Sequence, residues 1–288
     1  MTNEIEIWIN PYGGLGDMLM LSGVLKLCYD QNPDRKYCMV RRTRYREFFD
    51  GHPAIGRFGN PALEQEVIVS NYWDKEEEGQ GIQRPFQILA RTFGLETPVE
   101  EQLFFPKPLL ENGILLKQIP FVKEKTVVIA PYSDSPRKML PLTTWEAVVK
   151  ALKGKGYFII QVGQRENKYI KGAYSVCGCG INPHQLISLI DKCNYVITLD
   201  NFIMHIAHLL KKPAVVLWGP TVPEVFGYEE QCHIRASIEQ RTCAGKCIGR
   251  GLYLGRGFYY KTCPETVHCM DKISEKTILE EFNKITIV

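Results

Sequence analysis

A chain of 288 residues, 45% of them hydrophobic, holds enough apolar material for a substantial core and sits at the length where single cores begin to divide in two. Its formal net charge of +3 is too small to indicate a nucleic-acid partner, and no long block of like charge marks a disordered tail. Ten cysteines are many for a reducing compartment, so clustered thiols invite a metal reading before a disulfide one.

The opening "MTNEIEIWIN" is acidic ahead of an apolar run too short for a secretion signal, and no run approaches the roughly 18 residues of a membrane span. The expectation is a soluble, cytoplasmic protein. Short β-branched runs alternate with longer helical patterns, which predicts parallel sheets covered by helices. In the first half the strands fall at Ile5 to Ile9, Lys36 to Val40 and Val67 to Ser70, with helices over Asp17 to Tyr29, Thr43 to Phe49 and Ile82 to Phe93. "PVEEQLFFPKPLLENGILLKQIPFVKEK", with four prolines and no sustained period, suits a linker and crossing segment.

The alternation then restarts. "TVVIA", "YFIIQVG", "NYVITLD" and "PAVVLWGP" are strands; "TTWEAVVKALKGKG", "PHQLISLIDKC", "FIMHIAHLLKK" and "ISEKTILEEFNKI" are helices. The expected fold class is therefore α/β, two Rossmann-like doubly wound domains facing a cleft. The domains are placed at residues 1–120 and 121–288, with a cysteine-rich loop at 232–270.

Four stretches can carry chemistry. "GGLGD" follows the first strand as a nucleotide-binding turn would, with Gly13, Gly14 and Gly16 for close backbone approach, but it puts a carboxylate, Asp17, where a phosphate would sit. "SDSPRKMLP" places Ser133, Ser135, Arg137 and Lys138 on one loop, where a cation at a strand's C-terminal edge can compensate a diphosphate leaving group. In "QVGQREN", Glu166 is either an acceptor for ribose hydroxyls or a solvated loop acid. At "TLDNFIMHIA" a strand ends in Asp200 and a helix starts, with Asn201 as its cap, and the first-turn N–H groups and helix dipole suit a diphosphate as well as an ordinary cap. His205 on that helix is either a phosphate contact or a satisfied core imidazole.

Late in the chain Cys243, Cys247, Cys263 and Cys269 form C-x3-C, fifteen residues, then C-x5-C. Two close thiolate pairs can hold a structural Zn or Fe that staples an irregular loop; free or transiently oxidised thiols are the other reading. Around them, from Arg235 to Lys261, six basic residues face one acid, Glu239, and are interleaved with Tyr253, Phe258, Tyr259 and Tyr260. That segment is able to meet an anionic surface or substrate.

In combination, "GGLGDMLMLSGVL", "SPRKMLPLTTW", "GQRE", "LISLIDKCNYVITLDNFIMHIAHLLKKPAVVLWGPT" and "CPETVHCM" resemble the heptosyltransferases of bacterial lipopolysaccharide synthesis, glycosyltransferase family nine. The likeness is strongest over Thr126 to Pro223 and at the N-terminal motif. It implies the glycosyltransferase B fold and inverting transfer, without a catalytic metal, of a sugar from a nucleotide donor such as ADP-heptose to a lipopolysaccharide or other surface-glycan acceptor. By the resemblance Asp17 falls on the general base, Lys138 on the diphosphate lysine, Ser133 and Asp134 near the polar phosphate-side pair, and Glu166 on the ribose acid. Asp200, Asn201, Phe202, Met204 and His205 match the start of the donor-binding helix.

Two departures stand out. Asn201, Phe202 and Ile203 replace a glycine-containing stretch, which restricts backbone approach to the diphosphate, and the N-terminal, acceptor-side half is short. The rivals are a sugar-nucleotide epimerase on the same scaffold and a degenerate sugar-nucleotide-binding protein. The expected partners are a nucleotide sugar and a glycan or lipid-linked glycan, with peripheral contact at the cytoplasmic face of the inner membrane and no nucleic acid.

Overall fold

The computed structural model describes residues 6–72, 84–111, 113–122, 125–235 and 269–286. The chain divides into two compact units, Met1–Pro108 and Leu109–Val288. The sequence reading put the change after residue 120. The earlier break has a local cause, because the Leu110 N–H donates to Ser188 Oγ at 2.9 Å and ties the linker's end into the second unit.

The first unit is built on a four-stranded parallel sheet in the order β3-β2-β1-β4. These strands are β1 (Ile7–Asn10), β2 (Tyr37–Val40), β3 (Ile55–Gly59) and β4 (Val67–Val69). Helix α1 (Leu15–Gln31) follows β1, and its residues Met18 to Leu25 are all buried. A helix apolar on every side packs as a core element and not as an amphipathic cover. Helix α2 (Pro85–Thr92) starts with proline at its first position, where the missing N–H costs nothing.

Two expectations for this unit are corrected. The helix proposed over Thr43 to Phe49 is a single 3₁₀ turn, Arg46–Phe48, because Tyr45 enters the left-handed region at φ 57° and interrupts helical propagation. Strand β3 escaped the sequence reading because "IGRFG" breaks its apolar pattern with two glycines and an arginine.

The second unit carries a six-stranded parallel sheet in the order β10-β9-β8-β5-β6-β7. The central strands β5 (Thr126–Ala130), β8 (Tyr195–Leu199) and β9 (Ala214–Trp218) are buried almost throughout, as strands covered on both faces must be. Strand β6 (Phe158–Gln161) lies beside β5, and the short edge strands are β7 (Tyr174–Ser175) and β10 (Cys232–Arg235).

Helices α4 (Leu142–Gly154), α5 (Pro183–Asp191), α6 (Phe202–Leu209) and α8 (Glu275–Ile285) supply the cover, with short turns α3 (Ile114–Gln118) and α7 (Pro223–Phe226). Trp145, Val148, Val149 and Leu152 of α4 and Ile278 and Phe282 of α8 share one core with β5, β8 and β9. Burying each large apolar side chain there stabilises the fold by about 1.5–3 kcal/mol. The strands of this sheet pair in parallel, so the loops after β5, β6, β8 and β9 leave it along one edge, where an open α/β sheet places its ligands.

Candidate active site

In the first unit, the turn between β1 and α1 is held at three points. Tyr12 N–H donates to Ser70 Oγ at 2.9 Å, Gly14 N–H donates to Asp17 Oδ2 at 2.6 Å, and the Tyr72 hydroxyl donates to Asp17 Oδ1 at 2.7 Å. Gly14 is the N-cap and Asp17 the third helical residue, so the carboxylate reaches back to the cap backbone instead of occupying the cap position itself.

Gly13 is the residue that permits this. It takes φ 111°, and a Cβ there would lie 2.3 Å from Asp17 Oδ2. Each carboxylate oxygen thus has a hydrogen-bond donor, an arrangement that fixes its orientation. Tyr72, in the segment after β4, was missed by the sequence reading; the signal was an aromatic hydroxyl leaving the neighbouring strand at the same sheet edge.

In the second unit, Lys138 and Asp200 come together. Lys138 belongs to a 3₁₀ turn, Pro136–Lys138, in the loop after β5, and its Nζ stands 2.7 Å from Asp200 Oδ2 at the end of β8. The same Oδ2 accepts the Thr221 hydroxyl from the loop after β9. Burial of Asp200 works to raise its carboxyl pKa, and the Lys138 ammonium together with the Thr221 hydroxyl outweighs that and holds it below the ordinary 3.8.

Asn201 caps α6. Its Oδ1 accepts from Ile203 N–H at 2.8 Å and from the Thr198 hydroxyl at 2.9 Å, while its Nδ2 donates to the Tyr132 carbonyl at 3.0 Å. One side chain therefore both starts the helix and pins the loop that carries Lys138 to the end of β8.

The remaining candidates separate. Ser133 is half-buried and Asp134 exposed on the Lys138 loop. Glu166 is exposed on the loop after β6, with no hydrogen bond or ion pair among the described residues. Phe202 is half-buried in the first turn of α6, but Met204 is fully buried against Val216 and Trp218, so its side chain is core and not a ligand surface.

His205 is buried, with Nδ1 2.7 Å from the Tyr228 hydroxyl, and His208 stacks on the same ring at 3.7 Å between centroids. Cys243, Cys247 and Cys263 lie outside the described residues, as does the basic aromatic segment beyond Arg235. Cys269 opens the 3₁₀ turn Cys269–Lys272 and packs against the core. Among the described residues no group of three or more potential ligands can hold a metal ion, and no helix is long and apolar enough to cross a membrane.

No curated protein matches the chain significantly in sequence. Solved structures do match its fold. ADP-heptose lipopolysaccharide heptosyltransferase II of E. coli superposes with a TM-score of 0.68 at 14% identity, covering 98% of each chain. A family 9 glycosyltransferase of Veillonella parvula gives 0.69 at 13%, covering 99% of this chain and 97% of that one. TibC, an iron-containing dodecameric glycosyltransferase of enterotoxigenic E. coli, gives 0.71 at 17%, covering 97% of this chain and 75% of that one. At such identities the likeness shows the fold alone, an α/β architecture of parallel sheets. The family model for glycosyltransferase family 9 (heptosyltransferase) matches residues 65–247, which is well over half of the chain and takes in the Lys138 loop, Asp200 and α6. The chain belongs to glycosyltransferase family 9 and is a glycosyltransferase.

Proposed function

We propose that this enzyme transfers heptose from ADP-heptose to a hydroxyl of a bacterial surface glycan, with inversion and without a catalytic metal. The observation that carries the reading is the Lys138 ammonium, anchored on Asp200 beside the first turn of α6, in a chain of this family. A fixed cation next to a helix N-terminus favours the negative charge that grows on a leaving diphosphate. Donor binding is assigned to the second unit, with Lys138 on the diphosphate, Ser133 and Asp134 on its polar side, and Glu166 on the ribose hydroxyls. A TibC structure described as a complex with ADP-D-β-D-heptose is in keeping with that donor.

Acceptor binding is assigned to the first unit. The acceptor oxygen attacks the anomeric carbon, its proton passes to the Asp17 carboxylate, and the bond from that carbon to the phosphate oxygen breaks with its electron pair leaving on ADP. One displacement of this kind inverts the anomeric centre. In this proposal the enzyme works in the cytoplasm, in peripheral contact with the inner membrane, on a glycan or lipid-linked glycan.

The test is mass spectrometry of the purified protein with a panel of nucleotide sugars and glycan acceptors. Transfer from ADP-heptose is expected. Conversion of the donor without an acceptor would make the protein an epimerase, and binding without turnover would make it a degenerate family member. The spacing of Cys243, Cys247, Cys263 and Cys269 adds a structural metal to the proposal, and elemental analysis of protein purified without chelator should find about one Zn or Fe per chain. A folded, active, metal-free chain removes that part alone.

A further inference from the structure

The loop after β9 enters the Lys138 site from a third strand. A Cβ on Gly219 would lie 2.9 Å from the Arg137 carbonyl oxygen and 2.8 Å from Met270 Sδ, closer than real contacts of this kind. The missing side chain therefore lets the loop rest against the peptide that immediately precedes Lys138. Two residues on, Thr221 is 1% exposed, and its hydroxyl donates to the same Asp200 oxygen that receives the Lys138 Nζ.

We propose that Thr221 is a positioning residue for donor binding: through Asp200 it fixes the Lys138 ammonium at the sheet edge where the donor's diphosphate is met. This rests on the reading of Lys138 as the diphosphate contact. A carboxylate with a single flexible partner can rotate about its own side-chain bonds, and the lysine, on four rotatable carbons, follows it. A second donor on the same oxygen, supplied by a stiff β-branched side chain from another strand's loop, selects one orientation. Valine would match the shape of threonine and leave that buried oxygen one donor short.

Calorimetric titration with ADP alone reads the effect in wild type, T221V, T221S, K138A and the K138A/T221V double variant. T221V is expected to weaken ADP binding roughly three- to tenfold, T221S to stay within about twofold of wild type by restoring the hydroxyl, and T221V to add nothing once Lys138 is gone, because coupled residues do not add. Should T221V fail to fold, T221A against T221S gives the same contrast. Wild-type affinity in the hydroxyl-less variant, or an undiminished loss on the K138A background, overturns the inference while leaving Lys138 in its role. Wild-type affinity in K138A removes the donor reading itself, and this inference with it.

Discussion

Asp17 and Asp200 both lie where a parallel strand gives way to a helix, Asp17 as the third residue of α1 and Asp200 directly after β8, and the bonds described for them differ. Both oxygens of Asp17 receive neutral donors, the Gly14 N–H and the Tyr72 hydroxyl. One oxygen of Asp200 receives an ammonium and a hydroxyl together. A buried carboxylate committed to a cation has exchanged much of its capacity to take a proton for structure, which suits Asp200 to the part of an anchor. Asp17 is the proposed base and Asp200 the proposed anchor.

The largest effect expected from this contrast is at Asp17. In D17N the new amide oxygen can still accept from Gly14 N–H and its amide nitrogen can donate to the Tyr72 oxygen, so the turn keeps its shape. The proton acceptor is lost, and loss of a positioned general base costs on the order of 10²–10⁴ in rate, about 3 to 5 kcal/mol of barrier. Transfer rate and ADP affinity measured on the same variant decide the matter. Expected are slow transfer, unchanged ADP binding and a melting temperature matching wild type. Near-normal transfer would return Asp17 to helix capping alone.

Asp200 should respond in stability. D200N removes one partner of a largely buried ion pair, and with the Lys138 side chain 13% exposed the loss should fall at the low end of the range for such breaks, about 3 kcal/mol. Urea denaturation at neutral pH measures it. The acid side carries a sign. With the folded-state pKa of Asp200 held below 3.8, the unfolded chain takes up the proton first as pH falls, so the pair's contribution is complete above that value and declines beneath it. D200N should flatten this acid slope. An unaltered slope would mean that the Lys138 pair does not hold the carboxylate down.

How much of this was legible in the sequence follows from what each feature depends on. The second sheet was plain because its strands are buried on both faces and read as unbroken apolar runs, "TVVIA" and "AVVLW" among them. Strand β3 and the edge strand β10 were not, since "IGRFG" and "CHIR" follow no clean apolar period. Lys138 and Asp200 were each found as candidates at strand ends, but their pairing spans 62 positions and depends on β5 and β8 lying side by side, which no local pattern states. Thr221 and Tyr72 were missed for the same reason: a threonine after a strand and a tyrosine after another are common, and only the neighbouring strand end gives their hydroxyls a carboxylate to bind. Met204 stands beside His205 in the donor-helix motif, and the helical period turns its side chain into the core, which the motif alone does not state.

The smallest effect, and the finest test of the comparison, is at Tyr72. Its ring is 5% exposed, so Y72F keeps the buried bulk and removes only the hydroxyl that meets Asp17 Oδ1. If Asp17 were merely a capping group, its bond to Gly14 N–H would survive and transfer would not change. If the carboxylate must be aimed at an acceptor proton, losing the Tyr72 donor loosens its orientation about the side-chain bond, and a net hydrogen bond of about 1 kcal/mol corresponds to a roughly three- to tenfold fall in kcat. KM for the donor and ADP affinity should hold, since both belong to the second unit in the proposed assignment. The double variant D17N/Y72F should be no slower than D17N, because the group that Tyr72 orients is no longer a base. An additional loss in the double variant, as large as Y72F shows alone, would mean that the Tyr72 hydroxyl acts on the reaction by another route, and the contrast between the two carboxylates would then rest on Asp200 alone.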